Sequence, residues 1–507
     1  MDYDVIIGLE IHAEIKTKSK AFCACQNDAF LSPPNTNVCP ICLGHPGALP
    51  QINQTAVEKV ILLGLALNCQ INRQSHFDRK NYFYPDLAKG YQISQDKFPL
   101  AHHGYLEVNK QKIEITRIHL EEDTAKLSHI PGKNYTLIDC NRSGVPLLEL
   151  VTEPMIRNAT TAKLFGQRFQ QILKYLDISE ANMEKGEMRC EANVSLQKKN
   201  SWYRDTDGKI KTIAKNKLNN KVELKNINSF RSLEKAINYE IKRQSELLNS
   251  GQEIVLETRG YDEKTGETYR QRDKESGTDY RYFPDPDLPP IKISPEKIEE
   301  IKSRLIELPH KKKQRFIEEY GLLPETAEII IADKEIANWT EGVISDLAEW
   351  VKSVGESWKN QSIKLINLMA NWLINELFQY LKEDNQNIKN IKITAENFAE
   401  LILLLHQEKI TKNSGQEILK IMYETGGDPS NIMEEKNLEI KTEDNEAELE
   451  NIILDIIKEF SDQWQEFLSG KDVLLQFFIG KTMAQTQGRY RPKKIIEIIE
   501  QLKNDKK

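Results

Sequence analysis

The sequence predicts an α+β protein: a catalytic-sized domain built on an antiparallel sheet, followed by all-α regions. Three observations predict it. Segments with period-two alternation crowd the first ~290 residues, which are also rich in Gly, Pro and Tyr. Lys/Glu/Ile/Leu-rich segments with helical periodicity fill the remainder. Between the two textures lies Asp285-Pro286-Asp287-Leu288-Pro289-Pro290, whose prolines stop any helix or central strand. A chain of 507 residues exceeds one ordinary domain of roughly 100–200 residues. The expected division is 1–293, a sheet domain; 294–400, a helical domain; and 401–507, a helical tail.

The elements can be justified in order. Val5-Ile6-Ile7-Gly8-Leu9-Glu10-Ile11-His12 puts Val5, Ile7, Leu9 and Ile11 on one face of a strand and Glu10 and His12 on the other. Ile113 to Leu120 reads as a strand ending in Glu121-Glu122-Asp123. Val145 to Val151 places one carboxylate, Glu149, inside an apolar run, where a charge needs a partner or a metal. Met188 to Leu196 alternates without an error, with Arg189, Glu191, Asn193 and Ser195 on its polar side. Val222-Glu223-Leu224-Lys225 repeats the pattern. Beyond the proline-rich segment, Ser294-Pro295-Glu296 and Thr394-Ala395-Glu396-Asn397 start helices. Gly426-Gly427-Asp428-Pro429 breaks the helical run, and an acidic helix spans Glu446 to Phe460.

A single polar strand face is ordinarily the wet side of a half-buried sheet. Here the repeated choice of carboxylate, imidazole and guanidinium points to a shared polar site instead. Carboxylates with one His suit Mg²⁺, a hard ion that keeps water and substrate phosphates in its shell. Arg189, Lys80 and Arg142 are then candidate phosphate clamps. No P-loop and no glycine-rich dinucleotide turn occurs, so any ATP would rest on the sheet through metal and basic side chains.

Seven cysteines without a secretory leader argue against a disulfide framework. Cys23-Ala24-Cys25 and Cys39-Pro40-Ile41-Cys42 form two knuckles suited to tetrahedral, structural Zn²⁺. The plain alternatives are apolar burial of unlinked thiols and redox chemistry. Cys69, Cys140 and Cys190 read as core residues, so no glutaminase nucleophile stands out. The longest apolar stretches, Val60 to Cys69 and Leu401 to Leu405, are too short to span a membrane, which needs about 20 residues. The expected setting is cytoplasmic, with no membrane partner. A net charge of −7 gives no general support for nucleic-acid binding, though a local basic patch suffices for phosphate contacts. Candidates for such contacts are Lys311, Lys312 and Lys313, and the late Arg489 and Arg491; a solvated helix face is the alternative for the first group. Tyr82 and Tyr84, beside Lys80, could stack on unpaired bases, or could belong to the core.

The motifs Gly8-Leu9-Glu10-Ile11-His12, Asn35 through Gly44, Phe77 through Asp86, Gly90-Tyr91-Gln92-Ile93-Ser94-Gln95, His119-Leu120-Glu121-Glu122-Asp123, Asn141-Arg142-Ser143-Gly144 and Asp279 through Pro284 occur in order. Together they closely resemble the GatB/GatE family, the B subunits of the glutamyl-tRNA(Gln)/aspartyl-tRNA(Asn) amidotransferases, densely over residues 1 to about 293. The resemblance implies a sheet domain similar to glutamine synthetase. It implies ATP- and Mg²⁺-dependent activation of the side-chain carboxylate on a mischarged tRNA, then amidation with ammonia from glutamine. It also implies a heterotrimer with an amidase subunit (A) and a small subunit (C). Carried onto this sequence, it implies metal ligands at Glu10, His12, Glu122, Glu149 and Glu191, and reaction chemistry at Glu10, His12, Glu122 and Lys80. The strand pattern alone does not choose among Glu121, Glu122 and Asp123. Two departures stand out: Glu191 replaces the family's usual Asp, and Lys185 replaces an acid. Two rival readings are a free-standing glutamine-synthetase-like ligase and a non-catalytic, zinc-bearing RNA scaffold.

Overall fold

The computed structural model describes residues 2–206, 208–213, 216–273, 280–353, 355, 357–440, 446–486, 488 and 490–505. Two compact units result, Met1–Leu308 and Pro309–Lys507.

The first unit is organised by a nine-stranded sheet. Its strands are β1 (Tyr3–Glu14), β2 (Gln70–Ile71), β5 (Ala101–Val108), β6 (Gln111–Glu122), β7 (Pro146–Thr152), β8 (Met188–Lys198), β9 (Val222–Lys225), β10 (Glu257–Asp262) and β11 (Glu267–Asp273). In space they run β11-β10-β9-β8-β1-β7-β6-β5-β2. A smaller sheet joins β3 (Asp78–Asn81), β4 (Tyr91–Ser94) and β12 (Phe283–Pro284). The strands expected from alternation form, and their apolar residues go inward: Ile7, Leu9, Ile11, Cys190, Ala192 and Val194 are at most 1% exposed. They share a core with helices α1 (Gln54–Ala66), α2 (Ala159–Tyr175) and α3 (Phe230–Asn249). Helices therefore cover one face of the sheet and leave the Glu10/His12 face to the site.

The sheet departs from the expected all-antiparallel order at one pair. β9 and β10 run parallel, with α3 as the crossover between them, because parallel neighbours need a long connection that returns the chain to the same end. His102 and His103 lie in β5.

Helix starts follow capping chemistry. The side chains of Ser294 and Thr394 accept from the amides of Lys297 and Asn397. The helix Pro295–Ser303 belongs to the first unit, where Lys297 and Arg304 each reach Glu58 at 2.8 Å. That unit thus runs past the 285–290 segment to Leu308. The second unit is helical and has two cores, one drawing on Phe316 through Leu438 and the other on Leu449 through Ile499. Gly426 caps a helix in the left-handed conformation (φ 78°), and Asp428 caps the next. No helix of the described residues is long and apolar enough to cross a membrane.

Candidate active site and metal centres

Strand register builds the site. β1 lies between β7 and β8, pairing His12 with Glu149 and with Arg189, while β6 pairs His119 with Glu149. Arg189, His12, Glu149 and His119 thus stand side by side across four strands. Alternation adds Glu10 and Glu14 on β1, Glu191 on β8, and Arg117 and Glu121 on β6 to the same face.

His12 Nε2 is 3.3 Å from Glu149, 3.7 Å from Glu121 and 3.8 Å from Glu10. His119 Nε2 is 3.5 Å from Glu149 and 3.7 Å from Glu121, and Arg117 is 3.6 Å from Glu149. Two groups, Glu10/His12/Glu149 and His119/Glu121/Glu149, each offer ligand atoms within 4.8 Å of one another. Glu149 is thus the shared member.

The electrostatics are those of an anion-rich, half-closed site. Burial opposes the His12 charge, but the hydrogen bond to Glu149 and the charges of Glu149, Glu121 and Glu191 outweigh it and raise the His12 pKa to about 9. Burial also opposes the Glu149 charge, yet His119 and His12 hold its pKa well below the usual carboxylate value. Glu10 moves the other way, raised by burial and by Glu149. Lys80, on β3, keeps its charge despite burial because Glu121, Tyr282 and Glu149 raise its pKa. Its ammonium lies 5.1 Å from the Tyr280 ring.

Beside this cluster is a basic pair around one acid. Buried Asp123 receives Arg189 at 2.6 Å, and Arg142 approaches it at 3.6 Å. Arg142 also donates to the carbonyls of Thr124 and Ala125. Glu14 adjoins this group, and burial together with Asp123 raises its pKa to about 8. On the other side of Glu10 a cavity of ≈ 430 Å³ runs along the sheet face, lined by Gly8, Glu10, Thr152, Asn193, Ser195 and Asn219 among others.

The four knuckle cysteines converge in the same unit, their sulfurs within 4.8 Å of one another. A tetrahedral tetrathiolate around Zn²⁺ needs neighbouring sulfurs about 3.8 Å apart, and Cys39 and Cys42 are at 3.9 Å. The set therefore fits a four-coordinate metal with no open position. Cys69 and Cys190 are buried as expected, whereas Cys140 is only half-buried.

The comparisons with known proteins agree with this architecture. The family model of the GatB/GatE catalytic domain matches residues 5–299, and that of the GatB domain matches residues 356–502. The chain is 42% identical to the aspartyl/glutamyl-tRNA(Asn/Gln) amidotransferase B subunit of Persephonella marina, over 99% of this chain and 100% of that protein. It is 42% identical to the protein of the same name from Thermodesulfovibrio yellowstonii (98% and 99% covered) and 41% to that of Thermotoga maritima (99% of each). The chain belongs to the family of aspartyl/glutamyl-tRNA(Asn/Gln) amidotransferase B subunits.

The ligand set carried over from the family likeness needs one correction. Glu122 is not with the others: alternation turns it away, and its carboxylate holds Lys89 at 2.6 Å and accepts the Ile93 amide at 3.0 Å. Glu121 occupies the expected place. Glu191 faces the site but is held 2.7 Å from Lys225. His119, Glu121, Arg117, Glu14 and Lys225 were not singled out by the sequence. The one available signal was His119-x-Glu121, the same i, i+2 pairing as Glu10-x-His12.

The nucleic-acid candidates also sort by environment. Phe83 and Tyr84 are 84% and 59% exposed, which the core alternative does not accommodate; Tyr82 is half-buried against Tyr280. The helix Pro309–Glu318 buries Pro309, Lys312 and Phe316 along one face. Lys312 is therefore committed to Glu341 at 2.6 Å, and Lys313 is paired with Glu328, leaving Lys311 exposed. Those three lysines do not form one cationic face. Arg491 pairs with Glu408 at 2.6 Å, and Arg489 lies outside the described residues, as does Asp279 of the Asp279–Pro284 motif.

Proposed function

We propose that this chain is the carboxylate-activating and amide-forming subunit of a tRNA-dependent amidotransferase. It would convert Glu-tRNA(Gln), Asp-tRNA(Asn) or both to the amide, with an amidase subunit (A), a small subunit (C), and ATP, in the cytoplasm. The relatives carry this substrate pair in their name. The observation that carries the reading is the convergence of Glu10, His12, Glu149, His119 and Glu121 across three adjacent strands, beside a cavity large enough for a nucleotide.

In this reading one substrate carboxylate oxygen attacks the γ-phosphorus of ATP, and ADP leaves. Ammonia then attacks the carbonyl carbon and inorganic phosphate departs. The first step sets anion against anion, so its barrier is dominated by charge. Glu10, Glu149, Glu121 and His12, the last as the neutral imidazole after giving up its proton, would hold Mg²⁺, with Glu191 on the same face. When bound, that ion neutralises charge on the transferring phosphoryl group. Arg189 and Arg142, preset around Asp123, are poised to turn to the phosphates, and Lys80 can neutralise the incoming carboxylate. The cavity beyond Glu10 would take the nucleoside.

The glutamine-synthetase-like sheet and the zinc knuckle at Cys23, Cys25, Cys39 and Cys42 belong to the same proposal. Tyr82 and Tyr84 would meet the acceptor end, and Lys311, Arg489 and Arg491 the tRNA backbone. The test is to mix the chain with its partner subunits and each mischarged tRNA and follow ADP and amide. ADP and amide in equal amounts, dependent on Glu10, are expected; amide formation without ATP would remove the reading.

A further inference from the structure

Lys20 lies between the first strand and the first cysteine knuckle, and it is 0% exposed. A buried ammonium needs an acceptor for each of its three protons and a compensating negative charge. Its acceptors are the Asn37 carbonyl at 2.9 Å, the Cys140 carbonyl at 3.3 Å and the Cys42 sulfur at 3.7 Å. Two of these are neutral, and only the sulfur can carry charge. A tetrathiolate holding a divalent cation has a surplus of two negative charges, which is costly in a site where Cys23 and Cys42 are buried.

We infer that Lys20 is the built-in counter-charge of the cysteine metal centre. Its ammonium donates to the Cys42 thiolate and offsets one of the two surplus charges. This rests on the reading that the four cysteines hold a divalent metal. The same ammonium ties the centre to the turn that carries Arg142. It donates to the Cys140 carbonyl, Ser143 donates to the Cys42 carbonyl at 3.0 Å, and Asn141 accepts the Asn37 amide at 2.9 Å. Gly144 closes the turn with φ +85°, and a Cβ there would sit 3.4 Å from Cys42 Cβ and 3.6 Å from Lys20 Cδ. Lys20 is thus a positioning residue, acting through the metal centre on the turn that presents a proposed phosphate clamp.

The test uses full-length wild-type and Lys20→Met protein loaded with Zn²⁺ and titrated with a chelator of known affinity, the retained metal being read by elemental analysis. Loss of a partner outside the ligand set typically weakens metal binding about 10–100-fold, and that fall is expected for Lys20→Met. In the Co²⁺-substituted protein, the sulfur-to-cobalt charge-transfer band should move to longer wavelength as the thiolate loses its cationic neighbour. Equal chelator midpoints with an unmoved band would overturn the inference. Wild-type protein that takes up no Zn²⁺ would instead overturn the metal reading beneath it. If Lys20→Met does not fold, the comparison is Cys42→Ala against Cys42→Ala/Lys20→Met. The single variant strands an ammonium beside a methyl group, so the double variant should melt higher. A double variant that melts at the same temperature or lower would count against the counter-charge.

Discussion

The sheet face around Glu149 and the cysteine centre each gather ligand atoms into one cluster, the first from strands far apart in the sequence and the second from residues 23–42, and they do so by opposite means. On the sheet, ladder pairing fixes the spacing, and the acids are balanced by neighbouring basic groups: His12, Arg117 and Lys80 around Glu149 and Glu121. The face opens on a cavity. The cysteines sit on loops with no ladder, so side-chain hydrogen bonds from Asn35, Asn37 and Asn141 hold their frame. The four sulfurs leave no vacant position. An open, charge-balanced set on a rigid sheet suits turnover, because charge can be exchanged with a substrate. A closed set on loops suits structure.

The comparison breaks most decisively at Glu10 and His12. Glu10→Gln or His12→Ala should lower ATP-dependent amide formation by about 10²–10³-fold or more, the size seen when charge stabilisation of a transition state is removed. tRNA affinity should stay within about twofold. Normal turnover in either variant, measured as ADP released, would leave the face as mere surface.

Glu121 and Glu122 sharpen the contrast between adjacent residues. Glu121→Gln should slow ADP formation as severely as Glu149→Gln, while Glu122→Gln should leave the phosphoryl step much less affected. The latter strands Lys89, so its main effect should be a loss of stability on the order of 3 kcal/mol, read by denaturant unfolding. The reverse order would restore Glu122 to the ligand set.

Removing residues 446–507, which have their own core, should raise KM for charged tRNA at least about tenfold with ATP affinity unchanged. Unchanged turnover would favour the free-standing ligase. At the cysteine centre, Cys39→Ser/Cys42→Ser should lose close to one metal equivalent and lower Tm. A fully retained equivalent in elemental analysis would contradict the knuckle.

The smallest effect concerns pH. Because the folded His12 pKa is raised to about 9, its stabilisation is fully present below its ordinary value near 6.5 and is lost as pH rises through about 9. The stability difference between wild type and His12→Ala should therefore narrow between pH 7 and 10, by on the order of 2–3 kcal/mol. A difference that stays constant would show that His12 is neutral throughout.

Much of this was legible in the sequence because period-two alternation is a local signal. Glu10, His12, Arg189 and Glu191 announce their face within single strands, and Glu149 stands out as a charge among leucines. Register is not local. Nothing within Gln111–Glu122 says that His119 will face Glu149, and the His119-x-Glu121 spacing is the one local sign that the strand's parity selects Glu121 over Glu122. Ion pairing is not local either: charge is visible in sequence, but its partner is not, and Lys312 turns inward to Glu341. The parallel β9/β10 pair escaped because strand direction depends on how α3 returns the chain. The cysteine spacing was readable, whereas Lys20 looks like any surface lysine until the loops close around it.

The most direct measurement follows oxygen. With ¹⁸O in the side-chain carboxylate of the mischarged aminoacyl-tRNA, the complete enzyme should deliver one labelled oxygen to inorganic phosphate for each amide formed, and Glu10→Gln should abolish that transfer. Unlabelled phosphate, or transfer at the wild-type rate in Glu10→Gln, would contradict the assignment of carboxylate phosphorylation to this sheet face.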